Sequence, residues 1–90
     1  MFNFAQRGAN MTHTILRLPA VKAATGLSRS TLYLRVGQGA FTHPVSLGGR
    51  AVGWPALEVA ALNAARIAGR PDAEIRALVK QLEAARKAAA

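Results

Sequence analysis

The sequence predicts a small, mainly α-helical domain with one short β-hairpin. Three observations predict it. Proline, serine and aspartate stand where helices should begin, glycines stand where helices should end, and one glycine pair separates two segments of alternating apolar residues. A chain of 90 residues allows one such domain. The predicted order is helix, tight turn, helix, hairpin and two further helices.

A very short turn separates the first two helices. Pro19 suits the first turn of a helix over residues 19–25, because proline lacks the N–H that has no partner there. Gly26 suits the left-handed backbone conformation that ends a helix. Ser28 is a preferred N-cap residue, and it predicts that a second helix follows over about residues 29–38.

A hairpin follows the second helix. Apolar residues alternate with other residues in segments 44–47 and 51–54, and a Gly-Gly pair lies between these segments. Such a pair favours the tight turn of a β-hairpin, here with Arg50 at the tip. Trp54 is the largest apolar residue of a small chain and is interpreted as core. His43 is interpreted as a loop residue rather than a metal ligand.

Two more helices complete the chain. The third opens at Pro55 and stops near Gly69, with Glu58 in its first turn, where a negative charge suits the helix dipole. Asp72 caps the fourth helix. One apolar stripe runs along this helix: Ile75, Leu78, Val79 and Leu82. The stripe either folds back on the domain or pairs with a second copy, and both alternatives stay open. The i, i+4 spacing also predicts two ion pairs: Asp72–Arg76 and Glu83–Lys87.

Charge is distributed unevenly along the chain, whose formal net charge is +8 at pH 7. Residues 1–57 contain six basic residues and no acidic residue, whereas residues 58–90 contain six basic residues and all four acidic residues. A basic half without acids favours a polyanionic partner, most simply nucleic acid, over charge that serves only solubility.

The composition excludes several classes of site. Without cysteine there is no disulfide framework, thiolate zinc site or cysteine nucleophile. No phosphate-binding loop motif, paired carboxylates or nucleophile–base pair is visible, so we expect neither an enzyme nor a metal, cofactor or small-molecule ligand. No apolar run is long enough to span a membrane and no signal peptide is visible, so we expect a cytoplasmic protein.

The first two predicted helices have the features of a helix-turn-helix. This motif needs a glycine at the turn and an aliphatic residue on the second helix. Gly26 and Leu32 meet these needs, and Val36 follows Leu32 at helical spacing, so both side chains should point inward. The hairpin is then a wing. The expected fold is a winged helix-turn-helix with an added C-terminal helix.

The exposed face of the second helix and the tip of the hairpin are the candidate DNA-binding surface. The first turn of a recognition helix faces the major groove, where hydroxyl and N–H groups bind phosphate and arginine binds guanine. Glycines let a wing approach a phosphate, and an arginine beside them can enter the minor groove. The candidate residues are Ser28, Arg29, Ser30, Thr31, Tyr33, Arg35, Gly48, Gly49 and Arg50.

Most of these candidates also have a simpler structural interpretation. Ser28, Ser30 and Thr31 suit helix capping. Tyr33 suits a half-buried position in the core, and Arg50 suits an exposed position in an ordinary turn. The sequence leaves both interpretations open.

Four motifs cover about residues 15–85: LP at 18–19, TGLSRSTLY at 25–33, GAFTHPVSLGGRAVGW at 39–54 and ARIAGRPDAEIRALV at 65–79. In these motifs the chain resembles the AlpA-type regulators of phages, prophages and integrative elements. Those are small winged helix-turn-helix proteins related to the MerR group and to excisionases. The most specific part is SLGGRAVGW, since TGLSRSTLY is shared with wider helix-turn-helix families.

The resemblance implies which residues contact DNA. These are Arg29, Ser30, Thr31 and Arg35 on the second helix, and Gly48, Gly49 and Arg50 in the wing. One departure concerns the residue after Tyr33, where the family often has arginine and this chain has Leu34. We therefore expect Leu34 to be buried and Arg35 to be displayed.

The resemblance also implies a role. Such proteins activate transcription of an integrase or a neighbouring gene, or act as excisionases, the recombination directionality factors that steer a tyrosine recombinase towards excision. The implied partner is double-stranded DNA, and an integrase is a further candidate partner. Because a domain of this size contacts few base pairs, we expect several copies to bind repeated sites cooperatively. Residues 1–13 lack periodicity, and we expect them to be a disordered arm. Residues 14–69 are the expected DNA-binding domain, and residues 70–90 are an expected C-terminal helix that is a candidate for oligomerisation. The alternative is a non-specific nucleoid or RNA-binding protein, whose affinity ignores sequence and falls steeply with salt.

Overall fold

The computed structural model describes residues 13–89, with side chains described as far as residue 87. Within these residues the elements follow the order β1, α1, α2, β2, β3, α3, α4. Their bounds are Ile15–Leu16 (β1), Leu18–Thr25 (α1), Arg29–Gly37 (α2), Val45–Ser46 (β2), Val52–Pro55 (β3), Ala56–Ile67 (α3) and Asp72–Ala89 (α4). The predicted fold class, mainly helical with a small sheet, is confirmed. The predicted disordered arm lies outside the described residues except for His13, which is in a turn.

The signals at the ends of α1 and α2 are local. Gly26 has a φ of 73°, and its N–H donates to the carbonyl of Lys22 at 2.8 Å, which closes α1. Ser28 Oγ accepts a hydrogen bond of 3.2 Å from the backbone N–H of Thr31 and caps α2. α1 begins one residue earlier than expected, with Pro19 as its second residue. The two helices and their short turn have the predicted helix-turn-helix order.

β3 is the central strand of a three-stranded antiparallel sheet. The predicted hairpin pairs β2 with one edge of β3, and β1 pairs with the other edge, where Leu16 lies opposite Trp54. The sequence pattern does not predict β1, because a strand of two residues has no alternation to reveal. At Gly53 a Cβ atom would lie 2.5 Å from Ile15 Cγ2 and 2.9 Å from the Leu16 carbonyl oxygen. Glycine at this position is therefore what lets β1 join the sheet.

The core surrounds Trp54, which is fully buried as predicted. Its indole N–H donates to the carbonyl of Thr42 at 2.8 Å, and the rings of Tyr33 and Phe41 meet it edge-on. The hydroxyl of Thr42 is also buried, and it has no hydrogen-bond partner among the described residues. The other buried apolar residues of this cluster are Val21, Leu32, Val36, Ala40, Val59, Leu62, Ile75 and Val79.

α4 folds back on the domain. Ile75 is fully buried, Val79 is 3% exposed, and Leu78 and Leu82 pack against the edge of the same core. Of the two alternatives for this apolar stripe, the structure shows the intramolecular one. The expected cap at Asp72 is wrong: the carbonyl of Pro71 accepts the first backbone bonds of α4, from residues 74 and 75.

Candidate DNA-binding surface

The outward face of α2 has an uncharged centre. Leu32 and Val36 are buried as predicted. Because an α-helix makes one turn in 3.6 residues, Ser30 and Leu34 lie on the opposite side. The expectation that Leu34 is buried and Arg35 displayed is wrong: 59% of Leu34 is exposed, whereas Arg35 is half-buried. The spacing that turns Leu32 inward necessarily turns Leu34 outward.

The hydroxyl groups at the start of α2 form a small cluster. Ser28 Oγ accepts from the Thr31 N–H and donates to Thr31 Oγ1 at 3.0 Å, with Ser30 Oγ 3.4 Å away. The capping interpretation therefore holds for Ser28. The backbone N–H groups of Arg29 and Ser30 donate no hydrogen bond within the described residues. These two donors at the positive end of the helix dipole suit an anion such as phosphate.

Tyr33 connects the candidate surface to the core. Its ring is half-buried and meets Trp54 with 6.0 Å between centroids. The Arg29 guanidinium lies over the same ring, with Cζ 5.6 Å from the centroid. A cation–π contact of this kind is worth about 0.5–1 kcal/mol at an exposed site, which favours one orientation of a long side chain. Arg29, Ser30 and Tyr33 line one shallow hollow.

Arg35 lies on the other flank of α2. It lines a hollow between α1, α2 and α3 together with Thr25, Asn63 and Arg66. The Asn63 side chain donates to the carbonyl of Ala24 at 2.9 Å and so joins α3 to the end of α1. The predicted residues of α2 therefore do not form one cluster: Arg29 and Tyr33 occupy one flank and Arg35 the other.

The wing tip, residues 47–51, is a tight turn. Gly48 and Gly49 have φ values of 103° and 56°, which residues with a side chain rarely adopt. The N–H of Gly48 donates to Ser46 Oγ at 3.3 Å, whereas those of Gly49 and Arg50 donate no hydrogen bond within the described residues. Of the two glycines predicted to let the wing approach a phosphate, Gly49 is thus the one with an available amide, and the adjacent amide of the exposed Arg50 is also available.

All four carboxylates of the chain are paired away from α2 and the wing tip. The pairs are Glu58–Arg86 at 2.7 Å, Glu83–His43 at 2.9 Å, Glu74–Arg70 at 3.3 Å and Asp72–Arg66 at 3.5 Å. The predicted pairs Asp72–Arg76 and Glu83–Lys87 are therefore wrong. In the part of the chain that the structure describes, the cations before residue 57 have no carboxylate partner: Arg17, Lys22, Arg29, Arg35 and Arg50.

One ion pair, between a buried glutamate and a half-buried arginine, was not predicted from the sequence. Glu58, 5% exposed on α3, accepts two hydrogen bonds of 2.7 Å from Arg86 of α4. The hydrogen bond from Arg86 to Glu58 raises the pKa of Arg86, which favours its charged form. The helix dipole alone is therefore an incomplete account of Glu58. No local pattern predicts a partner 28 positions away.

Glu83 is the second carboxylate of this region. Its Oε2 accepts from the backbone N–H of His43 at 2.7 Å and lies 2.9 Å from His43 Nδ1. Burial raises the pKa of Glu83, but the hydrogen bonds from His43 and the charges of His43 and Arg86 together outweigh it and hold the pKa below its ordinary value. His43 is a loop residue as predicted, and α4 holds it in place.

The described residues were also compared with the requirements of a metal site and of a membrane-spanning helix. No group of three histidine, cysteine, aspartate or glutamate residues there lies close enough to hold a metal ion. No helix within residues 13–89 is long and apolar enough to cross a membrane.

Comparison of the sequence with known proteins identifies a family and a relative. A family model described as prophage CP4-57 regulatory protein (AlpA) matches residues 14–66. A protein of Enterobacteria phage P4, described as uncharacterized protein ORF88, is 53% identical over 55 residues, which cover 61% of this chain. The match spans 62% of that phage protein's own length, and no solved structure matches the chain.

The family match contains the helix-turn-helix, the hairpin and nearly all of α3, and it stops before α4. It covers more than half of the chain. This chain therefore belongs to the AlpA family of phage regulatory proteins.

Proposed function

We propose that this chain is a sequence-specific DNA-binding regulator of a phage or an integrative element. α2 enters the major groove and the wing tip contacts the neighbouring backbone and minor groove. One observation carries the proposal: all four acidic side chains pair elsewhere, so no carboxylate of the described residues competes with phosphate for the cations of α2 and the wing tip. Phosphate attraction supplies affinity in such complexes, and base contacts supply specificity.

Within α2, four side chains have different proposed roles. Arg29, oriented by the ring beneath it, hydrogen-bonds a guanine edge. Leu34, exposed at the centre of the outward face, contacts a thymine methyl group. Ser30 lies beside them, and its hydroxyl bonds a base or a phosphate. Arg35 lies on the flank of α2 and contacts backbone phosphate rather than a base.

Four other candidates act at the first turn of α2 and at the wing tip. Thr31 and Ser28 keep the first turn of α2 closed, which leaves the free N–H groups of that turn for a phosphate. In the wing tip, the amides of Gly49 and Arg50 bind a second phosphate, and the Arg50 side chain reads the width of the minor groove.

The proposed biological role has two forms that use the same surface. The chain activates transcription of an integrase or a neighbouring gene, acts as an excisionase that directs a tyrosine recombinase towards excision, or does both. A recognition helix of nine residues reaches few base pairs, so several copies are proposed to bind neighbouring repeats cooperatively. The buried stripe of α4 does not supply the contact between copies, since its residues pack within one chain.

Selection of duplexes from a randomised pool tests sequence-specific binding. On the selected duplex, Arg29→Ala should lower affinity about tenfold to a hundredfold, and it should do so less on unrelated DNA, because one guanine contact is lost. Lys80→Ala, an exposed cation on α4 that loses the same charge, is the matched control and should change both affinities little. If Arg29→Ala weakens binding equally on all sequences, the non-specific alternative is the correct one.

Two further assays separate the finer roles. A promoter reporter measures activation, and a recombination assay with the integrase and attachment sites of the same element measures excision. Gel shifts on fragments with one and several selected sites test cooperativity. Strictly independent binding to each site would remove cooperativity from the proposal without affecting DNA binding itself.

A further inference from the structure

α4 contacts both ends of the segment that joins the recognition helix to the wing. This segment, residues 38–44, is called the connector. At its start, Arg76 Nε donates to the carbonyl of Gln38 at 3.2 Å. Towards its end, both backbone polar groups of His43 are bound by α4: the N–H donates to Glu83 at 2.7 Å, and the carbonyl accepts from Arg86 at 2.6 Å.

The α4 end of these contacts is itself held firmly. The same Arg86 guanidinium forms two hydrogen bonds of 2.7 Å with Glu58, which is nearly fully buried on α3. Paired, charge-assisted hydrogen bonds of this kind are among the strongest that proteins form. His43 is thereby tied through Arg86 to the domain core, and not only to the surface of one helix.

The position of His43 determines where the wing begins. Only Pro44 lies between His43 and β2, and the proline ring restricts φ to a narrow range. Because the φ of Pro44 is nearly fixed, a rotation of the backbone at His43 changes the direction in which β2 begins. The middle of the connector is held independently, because the Thr42 carbonyl accepts the Trp54 indole N–H. The contacts from Glu83 and Arg86 act on the last residue before the wing.

We propose that Glu83 and Arg86 are positioning residues for DNA binding, which hold the connector so that the wing tip and α2 engage DNA at the same time. This inference rests on the proposed function. It assigns a role to α4, which lies outside the part of the chain that the family model matches.

The first test measures DNA binding with the full chain and the selected duplex. Glu83→Ala removes a negative charge, which by electrostatics alone tightens binding to a polyanion. If Glu83 positions the wing, Glu83→Ala should instead lower affinity about fivefold to tenfold. The plot of log affinity against log salt should also become less steep, by about the amount that one lost phosphate contact produces. Glu74→Ala, on the same helix, makes the same charge change without touching the connector, and should bind as tightly as the unaltered chain or more tightly.

A double-mutant cycle identifies the wing as the part that is lost. In a chain that already carries Arg50→Ala, Glu83→Ala should weaken binding less than in the unaltered chain, because the side-chain contact of the wing tip is already gone. If the two effects are independent, or if Glu83→Ala behaves like Glu74→Ala, the positioning role is overturned.

The second test does not depend on DNA. Because the chain contains no cysteine, spin labels can be attached only at Ser30→Cys and Arg50→Cys, one on α2 and one at the wing tip. The distribution of distances between the labels should be narrow in the otherwise unaltered chain and broader with Glu83→Ala. An unchanged distribution contradicts the inference. If the distribution broadens but selection from the randomised pool yields no preferred duplex, only the proposed function is contradicted.

Discussion

Two regions of this molecule use arginine in opposite ways. On α2 and the wing tip, Arg29 and Arg50 are exposed and have no carboxylate partner in the described part of the chain. At the junction of α3 and α4, Arg86 is only 24% exposed and forms two hydrogen bonds with a carboxylate that is 7% exposed. The first region keeps its charge available, and the second neutralises it.

The difference follows from the cost of burying charge. A charged group that leaves water must be paired, whereas an exposed one keeps its hydration and remains free to bind an external anion. The chain pairs each of its four acidic side chains with a basic side chain or with His43, all within the region formed by α3, α4, the loop between them and the connector. The same residue type is therefore structural in one region and available for DNA in the other.

The largest expected effect is on stability. Arg86→Ala leaves the buried carboxylate of Glu58 unpaired and should lower the free energy of unfolding by about 3 kcal/mol in urea denaturation. Lys87→Ala, the next residue along α4, removes an exposed cation and should change it by less than about 0.5 kcal/mol. Similar effects of the two substitutions would mean that the junction does not depend on the ion pair.

The next effect is on DNA binding alone. Arg50→Glu at the wing tip should lower affinity for the selected duplex about thirtyfold, because it replaces attraction of the Arg50 side chain to the negatively charged minor groove by a repulsion. Lys80→Glu makes the same change of charge on α4 and should lower affinity less than about threefold, measured by fluorescence anisotropy at one salt concentration. Equal losses would show that only the net charge of the chain matters.

Leu34 tests the uncharged centre of the outward face of α2. Leu34→Ala should lower affinity about fivefold through loss of an apolar base contact, and change the free energy of unfolding by less than about 0.5 kcal/mol. Leu32→Ala, two residues earlier, is the opposite case: its fully buried side chain should cost about 3 kcal/mol of stability. An unaltered affinity for Leu34→Ala would remove this residue from the DNA-binding surface.

The smallest effect concerns the connector, which α4 holds against the second region. Thr42→Val replaces a buried hydroxyl that has no partner among the described residues, and should raise the free energy of unfolding by about 1 kcal/mol. Thr31→Val removes a hydroxyl that accepts from Ser28 Oγ, and should lower the free energy of unfolding slightly. Thermal denaturation of both variants measures the difference. A destabilised Thr42→Val protein would mean that this hydroxyl has a partner, such as an ordered water molecule.

Local patterns predict much of this fold. Gly26 and Ser28 give the turn between α1 and α2, a Gly-Gly pair gives the wing, and Trp54 is the core residue that its size suggests. Each of these signals involves residues that are neighbours in the chain, so its physical cause is present in the sequence itself. The exposed position of Leu34 could also have been predicted from the sequence, because the spacing that turns Leu32 and Val36 inward turns Leu34 outward.

The sequence by itself determined the order of the elements, the excess of basic residues before residue 57 and the cationic candidates on α2 and the wing. Only the tertiary structure decided that β1 joins the sheet, that the stripe of α4 packs within its own chain, and which cation each carboxylate meets. The reason is distance along the chain. Glu58 and Arg86 lie 28 positions apart and His43 and Glu83 lie 40 apart, and such pairs form only when helices pack in one particular arrangement.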